Sequence, residues 1–163
     1  MADMKSNLNT AWYKDTKGSG RLKADYLKTN IAIPESSGGS GEGANPKELL
    51  VSSATTCYIM TLVYMLEQKQ LSVTGIVMNT EAVNSKEEGF RIVHLPQVIL
   101  SANSTEEQIQ SVRKIMISAE QVCEVGNLLK KAGVQIEVEG KVEIESDTDV
   151  VSQYIEENQL NWD

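Results

Sequence analysis

Asn45–Gln68 reads NPKELLVSSATTCYIMTLVYMLEQ, and this stretch decides the fold. Asn45 can cap the free backbone amides of a helix start. Pro46 suits the first helical position, where its missing N–H costs nothing. Glu48, three residues after Asn45, has the spacing of a capping box. Leu49, Leu50, Val51, Ala54, Ile59, Met60, Leu62, Val63, Met65 and Leu66 then leave little polar surface, and a helix that is apolar all round is expected to be buried. At about 1.5 Å per residue it is long for a small chain, so an obligate homodimer is expected to hide it. Cys57 stands at its centre, a position where a thiol ordinarily acts as a small hydrophobe.

The surrounding chain has 163 residues, enough for a single domain, 1–163, with its own core. Its 15 basic and 23 acidic groups give a formal net charge of -8, which disfavours nonspecific binding to nucleic acid or anionic membranes. Cys57 and Cys123 are too few for a disulfide-built secreted scaffold and form no CxxC. With one histidine in the chain, a His-rich metal site is not expected. The N-terminus shows no long apolar run of a signal peptide, and Ser52, Ser53, Thr55 and Thr56 interrupt the longest apolar stretch. The expectation is a cytoplasmic protein without a membrane span.

Upstream of the helix, residues 1–7 read as a frayed start, Asn9–Lys14 as a strand anchored by Trp12, and Lys17–Gly20 as a turn. Arg21–Tyr26 and Asn30–Pro34 follow as strands, with Arg21, Lys23 and Asp25 on one face. Residues 35–43, ESSGGSGEG, read as a flexible loop that matches neither a dinucleotide fingerprint nor a P-loop. Downstream, Leu71–Val83 and Phe90–Ala102 are strands around a polar turn, and Pro96 suggests a bulge or edge. His94 alternates with Ile92 and Pro96; a lone strand histidine is a structural residue more often than a base. Ser104 and Glu107 signal a capping box for a helix from about Thr105 to Cys123, and Asn127–Lys131 reads as a short further helix stopped by Gly133. Val134–Ile144 alternates as a half-exposed strand or hairpin with Gly140 as bulge or turn. The acidic extension 145–163 holds a short helix around Asp149–Asn158, with Trp162 either docked or exposed. This order of elements favours an α+β fold over a regular βαβ one.

The constellation with chemistry in it is Cys57 in one helix and Cys123 at the end of another. A peroxidatic pair needs a thiolate that attacks an O–O bond and a second thiol that resolves the sulfenic acid. Cys57 lies about three turns inside its helix, so the amino-terminal dipole does little for it and a cation is needed. On composition alone, two inert buried thiols are the simpler reading.

Gly43-Ala44-Asn45-Pro46-Lys47-Glu48-Leu49-Leu50 followed by Ala54-Thr55-Thr56-Cys57 resembles the central motif of the OsmC/Ohr family, G-[TA]-[NS]-P-E-[EQ]-L with a cysteine ten residues after its first glutamate. Ala119-Glu120-Gln121-Val122-Cys123-Glu124-Val125-Gly126-Asn127-Leu128 resembles that family's second cysteine motif, and the element order agrees over residues 8–145. The resemblance implies an OsmC-like fold, an intertwined homodimer whose long buried helices pack against antiparallel sheets. It implies Cys57 as peroxidatic thiol, Cys123 as resolving thiol, organic hydroperoxides as substrates and a small or protein-bound dithiol, often dihydrolipoyl, as external reductant, with no cofactor or metal. Arg21, after Gly18-Ser19-Gly20, is the candidate for the family's catalytic arginine, with Arg91 as runner-up. Lys47 stands where the family has the glutamate that orients this arginine, and Glu48 follows one place late, so both are candidate site support. A family-like binding or stress protein with weak or no peroxidase activity is the alternative.

Overall fold

In the computed structural model, which describes residues 5–162, helix α1 spans Pro46–Gln68. Asn45 caps it as expected, its Oδ1 accepting from the Glu48 N–H at 2.9 Å. Residues 1–4 of the stretch read as frayed, and residue 163 of the acidic extension, lie outside the described residues. The chain divides into two compact units inside α1, Met1–Ser52 and Ser53–Asp163. The sequence suggests one domain because no linker is visible, and none marks the boundary, since a continuous helix crosses it.

In the first unit β1 (Asn9–Tyr13), β2 (Ser19–Lys23) and β3 (Lys28–Ile31) form an antiparallel meander. Trp12 lies over Gly20, where a Cβ would come within 2.7 Å of the indole. In residues 35–43 the Gly41 N–H donates to the Ile33 carbonyl at 3.0 Å and the Ser40 hydroxyl to the Gly18 carbonyl at 3.3 Å. Gly38 and Gly41 have φ of 87° and 69°, a backbone region that glycine adopts without a Cβ penalty.

In the second unit β4 (Val73–Ser85) and β5 (Gly89–Leu100) make a long antiparallel hairpin. Two helices, α2 (Glu106–Val122) and α3 (Glu124–Lys131), lead to β6 (Gln135–Val138) and β7 (Lys141–Ile144). Both short strands run parallel to β5, one against Arg91–His94 and the other against Gln97–Leu100, so the sheet is mixed. The expected strand or hairpin is one edge strand broken in two. The break lies beside Pro96, which has no N–H to give the ladder, and Gly140 passes where a Cβ would strike the Met116 sulfur at 2.4 Å. The capping box of α2 sits one residue later than Ser104/Glu107: Thr105 Oγ1 accepts from the Gln108 N–H at 3.2 Å and Gln108 Oε1 accepts from the Thr105 N–H at 2.8 Å. Ser104 is engaged in a turn with Ser101 instead. Helix α4 (Val150–Glu157) is capped by Asp149 and sets Val151 against Gly75, while Trp162 is exposed.

One stripe of α1 is buried, Ala54, Tyr58, Leu62 and Leu66, spaced by four residues. Tyr58, Leu62 and Leu66 share a core with Val98 and Leu100 of β5 and Val112, Ile115, Met116 and Ala119 of α2. Met60 and Tyr64 are 66% and 62% exposed. Within one chain, then, the core covers one stripe of this apolar helix. By length and composition α1 could also cross a membrane, but its stripe belongs to this core.

His94 is a core residue. Its ring stacks on Tyr58 with centroids 4.7 Å apart and planes 8° apart, and Thr80 Oγ1 lies 3.0 Å from Nδ1. Burial lowers its pKa to about 4, so it is neutral at neutral pH. The unfolded chain binds this proton first as the pH falls, because its histidine titrates near 6.5. Stability is therefore unaffected by His94 above that pH and declines by up to about 1.4 kcal/mol per pH unit from there down to the folded pKa. Urea unfolding at about pH 7 and about pH 5 should show this slope in the wild type and a shallower one in His94→Phe.

Candidate functional site

Cys57 and Cys123 meet in the second unit. Cys57, next to the buried stripe of α1, is half-buried, whereas Cys123 is 2% exposed. Cys123 closes α2 and opens α3 with an extended backbone, φ -65° and ψ 114°. Its carbonyl accepts from the Asn127 N–H at 2.9 Å, which starts α3. The corner is tight: a Cβ on Gly126 would stand 3.4 Å from the Cys123 sulfur.

The Cys123 side chain is within hydrogen-bonding reach of the Cys57 side chain. Burial above all, then this contact, pushes the Cys123 pKa up to about 11, with a further rise from the nearby Glu120 charge. The Gly126 amide at the start of α3 pulls the other way without reversing the shift. At neutral pH Cys123 is therefore held as a thiol.

Tyr58, the next residue along α1, donates its hydroxyl to the Met116 carbonyl at 2.9 Å. Burial, followed by the charges of Glu120 and Cys123, raises its pKa well above the ordinary tyrosine value. Glu120 itself is ion-paired with Lys130 of α3. The sequence reading missed Tyr58, Glu120 and Lys130 as site residues. Glu120 alone had a signal, since a residue three before Cys123 lies on the same side of a helix's last turn.

The other expected site residues belong to the first unit. Arg21 is exposed on β2, opposite Ala11 and Asn30, and Lys47 and Glu48 are exposed in the first turn of α1. Nine residues separate Glu48 from Cys57, so at about 100° per residue they leave α1 on opposite faces. Lys47, ten residues away, is displaced from the Cys57 face by about 80°. Arg91 is committed to Glu137 at 2.6 Å. Among the described residues no three His, Cys, Asp or Glu side chains converge as metal ligands would.

Residues 39–139 match the family model described as OsmC-like protein. The Bacillus subtilis (strain 168) protein YmaD, itself described as uncharacterized, is 30% identical over 148 residues, which are 88% of this chain and 98% of that one. The fold is similar to that of an OsmC-like protein from Mycoplasma pneumoniae, with a TM-score of 0.67 and 17% identity over 87% of this chain and 99% of that one. It is also similar to an organic hydroperoxide resistance protein OsmC from Legionella pneumophila, with a TM-score of 0.58 and 17% identity over 88% and 99% of the two chains.

The contrast between the two thiols is open to measurement. Brief alkylation of the reduced protein by iodoacetamide at neutral pH should modify Cys57 before Cys123, read by peptide mass. Equal labelling of the two residues would contradict a buried, protonated Cys123.

Proposed function

We propose that this chain, which belongs to the OsmC-like protein family, is a thiol-dependent peroxidase that reduces organic hydroperoxides. The observation that carries this reading is the contact between Cys57 and the Cys123 thiol, since a two-cysteine cycle needs two sulfurs within bonding reach. The name of the Legionella protein points the same way.

In the proposed cycle the Cys57 thiolate attacks the distal peroxide oxygen. The O–O bond breaks, and the departing alkoxide takes a proton and leaves as an alcohol, with Cys57 as sulfenic acid. Cys123 then attacks that sulfur, the S–O bond breaks as the S–S bond forms, and the hydroxyl leaves with the Cys123 proton as water. An external dithiol, of dihydrolipoyl type by family resemblance, takes the two oxidising equivalents and restores both thiols. No metal or cofactor takes part. Arg21 is the residue proposed to steady the thiolate and the departing oxygen. Lys47 is proposed as a second cation, and Glu48 keeps its place at the helix start.

Leu50, Met60 and Tyr64 lie seven residues before, three after and seven after Cys57, on its side of α1, and all three are exposed. This apolar strip suits the alkyl tail of a hydroperoxide and the face of a second copy of the chain. The working form is proposed to be a cytoplasmic homodimer. The alternative, a family-fold binding protein with little peroxidase activity, draws on Lys47, which puts a cation where the resembling motif has a glutamate.

Two measurements test the reading. In rapid-mixing assays the wild type should consume an alkyl hydroperoxide and form a Cys57–Cys123 disulfide. Cys57→Ser should lose turnover, and Cys123→Ser should stop after one equivalent with a trapped sulfenic acid. Equal, slow consumption by wild type and Cys57→Ser, with no disulfide, would leave the binding-protein reading in front. Sedimentation at micromolar concentration should give a dimer, and Tyr64→Lys should weaken it without unfolding the chain; a stable wild-type monomer would reject the dimer.

A further inference from the structure

Glu120 is a charged group that the cycle above does not use. It lies in the last turn of α2, three residues before Cys123, with its side chain 14% exposed and its Oε1 shut off from solvent. Its partner, the Lys130 ammonium, comes from the last turn of α3 and is 34% exposed. The ion pair thus ties the end of α2 to the end of α3 across the corner that holds Cys123. A buried carboxylate paired with a half-exposed lysine is a poor source of stability, because desolvation offsets much of the attraction. The same carboxylate acts on both groups that flank the thiol contact, Cys123 and the Tyr58 hydroxyl, and disfavours an anion at each.

We propose that Glu120, clasped by Lys130, is a positioning residue that reinforces the order in which the two sulfurs react: its negative charge near the Cys123 corner adds to burial in keeping that sulfur a thiol, leaving the more open Cys57 to meet the oxidant. The proposal rests on the peroxidase reading. A sulfur at the amino end of a helix, facing a backbone amide, would otherwise be drawn towards the thiolate and compete for peroxide. Burial opposes this first, then the contact with Cys57, and Glu120 adds the last share. The arrangement also serves the second step. The hydroxyl that leaves Cys57 needs a proton to depart as water, and a Cys123 held as a thiol until then brings that proton into the bond-forming contact.

The test reads the pH dependence of Cys123 alkylation in a Cys57→Ser background, which needs no peroxide. Glu120→Gln should lower the midpoint and speed alkylation by about threefold to tenfold at mildly alkaline pH. Lys130→Met leaves the carboxylate without its partner and should slow it. Opposite signs separate an electrostatic role from a loosened corner, which speeds alkylation in both variants. Shifts in the same direction, or no shift in either, overturn the proposal. Should Glu120→Gln fail to fold, the half-exposed Lys130 still allows its variant to decide: no slowing overturns the proposal. In the same Cys57→Ser background, peroxide and dimedone should leave Cys123 unlabelled, and adding Glu120→Gln should let it take up label; no label on Cys123 in that double variant overturns the ordering. A wild type that consumes no peroxide ends the peroxidase reading, while the alkylation profiles still decide what Glu120 does to Cys123.

Discussion

The hydrogen bond from Tyr58 to the Met116 carbonyl is the constraint on which the second unit depends. It joins α1 to α2 at a point where both are fully buried. The His94 stack joins the same ring to β5. Helix, sheet and helix are thereby fixed around one side chain. A buried hydroxyl without a partner costs about 1–3 kcal/mol, so the rotation of α1 that satisfies Tyr58 is strongly preferred. That rotation also decides where Cys57 points. It stands one residue from Tyr58, about 100° round the helix, at the border of the buried stripe. A thiol in the stripe itself would be sealed in the core, and one on the far side would face solvent with no second sulfur in reach.

The corner between α2 and α3 is the complementary device. A continuous helix through Cys123 would turn successive side chains away from α1 in the ordinary helical spiral. The extended backbone at Cys123 ends one helix and starts the next, so its sulfur sits on the inside of the bend. Gly126 of α3 lies beside it, where a Cβ would stand 3.4 Å from the sulfur, in van der Waals contact. Depth then separates the two thiols chemically. Cys123 is sealed and held protonated, whereas Cys57 is part-exposed.

Much of this was legible in the sequence, and what was not has specific causes. The cap at Asn45, the long hairpin and the final helix at Asp149 rest on local chemistry or on spacing, whereas attention to Cys57 and Cys123 together came from the family resemblance. The broken edge strand was not legible, because the break belongs to β6 and β7 while its cause, Pro96, is in β5, and their pairing is a tertiary fact. The cap of α2 slipped by one residue because Ser104/Glu107 and Thr105/Gln108 both fit the box, and Ser104 was already taken by its turn with Ser101. The buried stripe of α1 could not be told from its exposed sides, since Leu62 and Val63 are equally apolar as letters. Only the position of Tyr58 against Met116 distinguishes them.

The same limit applies to the charges around the thiols. A motif comparison directs attention to the first turn of α1, where Lys47 and Glu48 stand in place of the expected pattern. Both belong to the first unit. A carboxylate that acts on the thiol contact within the second unit therefore has to come from another element. It comes from Glu120, at the end of α2, where three residues of helix bring it alongside Cys123 and Lys130 holds it. A charge needed near a sulfur can be supplied by any element that packs there. The linear motif identifies the two sulfurs, but the fold decides which charges they feel.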